Sequence, residues 1–333
     1  MSELIITNGD AAANILSAAG IGGRIVPWRD VLHEGPLVPS DGLNALSETR
    51  ATYLSVRFDI PFAEARADFL ARDAIVMGHG LFTELSIWLE HDLYDQLQLL
   101  QILHFLNSES RTMGVRLIQA DDFLATQQPQ TVLRFAAKSI DITPAMLSSA
   151  ANVWRALTKP TPMAVVEYLN TPADEFRFLK SALGRFIEEL PSTIGGLART
   201  EREIAIAVAA GGLRPSDVFA HLLVAEDAPF LGDWSAYRII DDLVGAGEPM
   251  IMGTKTRFPC QGSKDEVDDY LTSPLSLTRF GKAVLAGDED VVNVNGIDRW
   301  WAGTHLEGRD CWRWDGQRRR IIPPDGVIKG NSQ

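Results

Sequence analysis

Leu85-Ser86-Ile87-Trp88-Leu89-Glu90-His91-Asp92-Leu93-Tyr94-Asp95-Gln96-Leu97-Gln98-Leu99-Leu100 is the stretch that decides the fold class. Its opening run, Leu85 to Leu89, is continuously apolar and reads as a buried strand. From Leu93 onward, Leu93, Leu97, Leu100, Leu103 and Leu106 recur at helical spacing. Glu90-His91-Asp92 therefore stands where a strand hands over to a helix. Val115-Arg116-Leu117-Ile118 reads as the following strand, which completes a β-α-β unit.

The same alternation extends upstream. Leu4-Ile5-Ile6 is a short strand closed by Thr7-Asn8-Gly9-Asp10, and Ala11 to Leu16 has high helix propensity. Gly20, Gly22 and Gly23 stop that helix, and Arg24 to Trp28 forms a second strand whose end Pro27 marks. Residues 41–74 read as helical with a break at Pro61. Strands alternating with helices predict an α/β domain with a mostly parallel, Rossmann-like sheet over residues 1–125.

Residues 126–192 show no strand pattern and read as a helical connector punctuated by Pro144, Pro160, Pro162, Pro172 and Pro191. Residues 193–333 predict a winged-helix-like α+β domain. Thr200 with Glu203 reads as a capping box, Gly211-Gly212 as the stop of that helix, and two further helices precede Met250-Ile251-Met252 and Leu275 to Thr278. The end is a hairpin rich in Trp and Arg, with Asn295-Gly296 as a second hairpin signal.

At 333 residues the chain exceeds what one core usually supports, and its 46% hydrophobic and 23% charged content is that of a globular protein. No apolar run approaches membrane-span length, and Met1-Ser2-Glu3 lacks the basic and apolar regions of a signal peptide, so no membrane and a cytoplasmic location are expected. Cys260 and Cys311 stand in no disulfide framework or metal-ligand spacing. A net charge of −13 repels phosphate backbones and disfavours nucleic acid as a partner. The acids Glu226, Asp227, Asp233, Asp241 and Asp242 around the third helix of the second half, against Arg238 alone, argue the same way.

Ligands of open α/β sheets bind at the carboxyl ends of the strands, and three polar clusters fall at such ends. Asn8 and Asp10 precede a helix, where an anion can sit and where Asp10 can instead be the N-cap. In Trp28-Arg29-Asp30 with His33-Glu34-Gly35-Pro36, Arg29 can fork onto a phosphate or carboxylate and His33 can move a proton; alternatively Arg29 and Asp30 pair with each other. Glu90, His91 and Asp92 follow the third strand, with Asp95 and Gln96 on the next turn; Asp92 can cap the helix. His79 reads as a turn residue and His104 as a core-edge residue.

Thr7 to Asp10, Pro27 to Pro36 and Trp88 to Leu100 resemble a bacterial family designated domain of unknown function eighteen thirty-five. The likeness continues through Gly196-Leu197-Ala198-Arg199-Thr200-Glu201-Arg202 and Asn295-Gly296-Ile297-Asp298-Arg299-Trp300. It implies a bacterial cytosolic protein and brings no activity, cofactor or catalytic residue with it.

The expectation is an enzyme, or an enzyme-derived domain, that binds a small anionic, phosphate-bearing molecule. Hydrolysis or group transfer is the reaction class. His33, His91 and Asp92 are the candidate catalytic residues, and Asn8, Asp10, Arg29, Asp30, Glu34, Glu90, Asp95 and Gln96 the candidate ligand-binding ones. The cofactor is unknown, a divalent metal being the candidate. The alternative is a non-catalytic, ligand-sensing regulator whose second half contacts protein or, less readily, DNA. A third reading makes the clusters a buried polar network that fixes the sheet.

Overall fold

A computed structural model describes residues 3–40, 42–172, 175–211 and 213–326. Met1 and Ser2 at the start, Gly212 of the expected helix stop, and residues 327–333 lie outside them. The chain is mixed α/β and divides into two compact units: Met1–Tyr53, Phe62–Gly184 and Ala302–Thr304 form one, and Leu54–Pro61, Arg185–Trp301 and His305–Gln333 the other.

The first unit runs β1 (Glu3–Thr7), α1 (Asp10–Ala18), β2 (Arg24–Pro27), α2 (Leu43–Phe58), α3 (Phe62–Met77), β3 (Glu84–Leu89), α4 (Leu93–Ser108), β4 (Val115–Gln119), α5 (Pro129–Ala136), β5 (Ile140–Asp141), α6 (Pro144–Leu157) and α7 (Met163–Leu169). Its sheet has the order β2-β1-β3-β4-β5. β1 is parallel to both β2 and β3, β3 is parallel to β4, and only β5 runs antiparallel. The two residues of β5 are too few to show a periodic signal, which is why the sequence of this region reads as wholly helical.

Strand alternation divides the core into two faces. Ile5, Trp88 and Ile118 point to one face, where Ala12 and Leu16 of α1 and Val132 and Phe135 of α5 cover them. Leu4, Ile6, Leu85, Ile87 and Leu117 lie on the other face, and α4 packs there on β3 and against α6. Wedged in this way, α4 buries residues on nearly every side, Asp95, Gln96, Gln98 and Gln101 among them.

α8 (Leu179–Ile187) leads toward the second unit, which contains α9 (Arg199–Ala209), α10 (Pro215–Ala225), α11 (Asp233–Gly245), β6 (Ile251–Met252), α12 (Lys264–Leu271), β7 (Ser276–Leu277), α13 (Arg279–Ala286), α14 (Val291–Asn295), β8 (Ile297–Trp301), β9 (Thr304–Gly308), β10 (Arg313–Asp315) and β11 (Arg320–Ile322). β6 and β7 form an antiparallel pair after three helices, and α12 occupies the loop between them. Ile204, Val208, Leu222, Ile240, Ile251 and Leu277 belong to one core.

Several local expectations change. The N-cap of α9 is Ala198, whose N–H donates to Glu201 at 2.7 Å, while the Thr200 hydroxyl donates to Glu189. Asn295-Gly296 ends α14 instead of turning a hairpin, because Gly296 at φ 75 terminates a helix equally well. His79 is buried, with its ring 5.9 Å from that of Phe105. The terminal tryptophans are structural: Trp301 stacks on Phe186 at 4.5 Å and Trp312 is buried. No helix among the described residues is long and apolar enough to cross a membrane.

Candidate functional site

From β1 the chain crosses first to β2 on one side and then returns to β3 on the other. The connections leaving the carboxyl ends of β1 and β3 therefore diverge, which makes those ends the topological switch point of the sheet. Asn8 follows β1 and Glu90 follows β3, so two of the three polar clusters meet there.

Glu90, Asp92 and Asp95 are buried, and one carboxylate oxygen from each lies within 4.8 Å of the others. Each is also tied to backbone. Asp92 is the N-cap of α4 and accepts from the Asp95 N–H at 3.2 Å. Asp95 accepts from the Glu90 N–H at 2.6 Å and from the Asn8 amide at 2.9 Å. Glu90 accepts from the Leu124 N–H at 2.7 Å, and Gln96 donates to the Glu90 carbonyl at 2.7 Å.

Three buried carboxyl groups at this separation cannot all ionise easily. Burial first, then the Asp92 charge, pushes Glu90 up to about 8. Burial raises Asp92 to about 7. Burial and both neighbouring acids raise Asp95 well above the usual carboxylate range. The cluster thus holds protons near neutrality.

His91 lies between Glu90 and Asp92 in sequence, and its ring is half-buried against those of Phe123 at 5.1 Å and Phe178 at 5.8 Å. Burial lowers its pKa against the opposing pull of Asp122 and Asp121, so the imidazole is biased toward its neutral form. Its Nδ1 is buried without a hydrogen-bond partner.

The segment after β2 divides between two environments. Arg29 is exposed and forks onto Asp10 with two 2.7 Å bonds, while its third nitrogen pairs with Asp68. Asp10 is consequently not the N-cap of α1; Gly9 takes that position without a side-chain bond, and the Arg29 contact lowers the Asp10 pKa. Asp30, the next residue, is fully buried and pairs with Arg50 at 2.9 Å. The expected local Arg29–Asp30 pair does not form, because Arg50 takes Asp30 in the interior while Asp10 and Asp68 take Arg29 at the surface.

Tyr94, Gln98 and Gln101 hold this segment against α4. The Tyr94 hydroxyl donates to the carbonyls of Asn8 at 3.2 Å and Trp28 at 3.4 Å. Gln98 donates to the Trp28 carbonyl at 2.8 Å and the Asp30 carbonyl at 3.2 Å, and the Trp28 indole donates to Gln101 at 2.8 Å. His33 is buried with its ring edge-on to Tyr94 at 6.0 Å, and Glu34 accepts from Tyr53 at 3.1 Å.

Asn8, Glu90, Asp92, Asp95 and Gln96 thus come together, His91 packs on Phe123 and Phe178, and Tyr94 links Asn8 to His33. Arg29 and Asp10 instead form an exposed pair of their own. Arg50, Tyr94, Gln98 and Gln101 carry the arrangement without having been assigned a role from sequence. The legible signal was polar residues at four- and three-residue spacing on a helix otherwise rich in leucine. Models of known protein families give no match to this chain, and curated proteins give none either.

Proposed function

We propose that the first unit is a Rossmann-like enzyme domain, a hydrolase or group transferase, that takes a small phosphate-bearing anion through a divalent cation held by Glu90, Asp92 and Asp95. The observation carrying this reading is the gathering of three buried carboxylates within 4.8 Å where the strand order reverses. Arg29 is already engaged by Asp10 and Asp68, so it offers a bare anion no free guanidinium. Oxygen donors of this kind suit Mg²⁺ or Mn²⁺, which would polarise a phosphoryl oxygen. Neutral His91 then accepts a proton from the attacking group or returns it to the leaving group. Asn8 and Gln96 orient the acids through Asp95 and the Glu90 carbonyl.

Calorimetric titration of Mn²⁺ and Mg²⁺ into the chelator-treated full chain, with a panel of phosphate esters assayed alongside, tests this. Saturable binding weakened at least about tenfold by Asp92→Asn supports it, because asparagine still caps α4 but removes a charged ligand. Absence of saturable binding in the wild type, or equal binding by the variant, removes it.

The bonds from each acid to backbone N–H groups favour a second reading, a buttressing network that only fixes the β3–α4 turn. Under that reading His91→Ala and Asp92→Asn lower stability and change no ligand response.

For the second unit we infer a winged-helix-like module serving protein contact, as in a ligand-sensing regulator. Three helices followed by the β6–β7 pair support the architecture. On α11 the one basic residue, Arg238, is fully buried and paired with Asp241 and Asp59, whereas Asp242 is exposed. That charge distribution supports a protein partner over DNA.

A further inference from the structure

We propose that Arg50 is a positioning residue for His33 and Glu34, so that one buried guanidinium on α2 sets how the loop after β2 presents both groups. The proposal rests on the function proposed above only in calling that loop part of the site. Residues 28–40 form no helix or strand, so their backbone groups need partners from elsewhere.

Arg50 supplies them. It is fully buried, and its nitrogens donate to Asp30 Oδ1 at 2.9 Å, the Val31 carbonyl at 3.0 Å, the Glu34 carbonyl at 2.8 Å and the Pro36 carbonyl at 3.5 Å. These acceptors lie on both sides of His33. A planar fork with five donors can meet these four acceptors at once, whereas an ammonium has only three donors.

A second, independent contact fixes the same loop. Tyr53 lies one turn beyond Arg50 on α2, and its ring sits 5.1 Å from the guanidinium. The hydroxyl of Tyr53 donates to Glu34 Oε2 at 3.1 Å. Gly35, at φ +78, presses its backbone on the Tyr53 ring so closely that a Cβ would stand 2.5 Å from it. Only glycine combines that approach with that backbone angle. Arg50 and Tyr53 thus form a template on one helix face, and His33 is held edge-on to Tyr94 as a result.

The test follows the chemical shifts of the His33 ring by NMR, and exchange of the Val31 to Leu37 amides, in the full chain without cation or ligand. Failure here is therefore distinguishable from failure of the proposed activity. Arg50→Lys is expected to move the His33 ring resonances away from their wild-type shifts and to speed loop exchange about tenfold or more. If Arg50→Lys does not fold, Tyr53→Phe is the second variant, expected to speed exchange at Glu34 to Leu37 in the same way. A folded variant with unchanged His33 ring shifts and unchanged loop exchange overturns the proposal.

Discussion

Asn8 and Asp95 lie 87 positions apart and are joined by a 2.9 Å hydrogen bond from the amide of one to the carboxylate of the other. The bond spans the carboxyl ends of β1 and β3 and ties the first strand's turn to the first turn of α4.

Asn8→Ala leaves a buried carboxylate oxygen of Asp95 without its donor. The variant is expected to lose about 1–3 kcal/mol of stability, seen as a lower urea midpoint at unchanged slope. An unaltered midpoint would mean that the bond contributes nothing to holding the turn.

The acid cluster makes stability depend on pH with a defined sign. Glu90 near 8 and Asp92 near 7 both lie above their unfolded values of 4.5 and 3.8, so the folded state binds more protons. Their contribution is fully present below about pH 4 and is lost progressively as pH rises to about 8. Urea unfolding of the metal-free protein at intervals across that range should show the decline. Glu90→Gln should flatten its upper part, and a wild type that gains stability over pH 6 to about 8 contradicts the assignment.

Cation binding must displace the same protons, so affinity is expected to rise with pH over the same interval and protons to be released. Calorimetry in two buffers of different ionisation enthalpy measures the release. Identical heats in both buffers would show that the cation is not held by these carboxylates.

Arg29 and Asp30 are adjacent in sequence and should differ sharply on substitution. Arg29 pairs with Asp10 at side-chain exposures of 42% and 62%, so Arg29→Ala is expected to cost under about 1 kcal/mol. Asp30→Ala strands a fully buried Arg50 and is expected to cost about 3–5 kcal/mol. Similar losses in both, by chemical denaturation, would show that burial is not what separates them.

Periodicity made β1 to β4 and the helices between them readable, along with the Pro61 break and the cap at Asp92, because each is set by residues near in sequence. Polar clusters at strand ends likewise pointed to the carboxyl edge. Asp10 as N-cap and the Arg29–Asp30 pair fitted the local pattern just as well. They fail because residues distant in sequence take the same groups: Arg29 engages Asp10, and Arg50 on α2 engages Asp30.

The sequence alone determined the alternation of strands and helices, the acidic charge and the residue types available at each strand end. Only the tertiary structure decided which of those groups share an environment. Strand order brings Asn8 to Asp95, and α4, buried on nearly all sides, carries its carboxylates into low dielectric beside one another. Proton affinity depends on burial and on the distance between charges, and neither is a property of position along the chain.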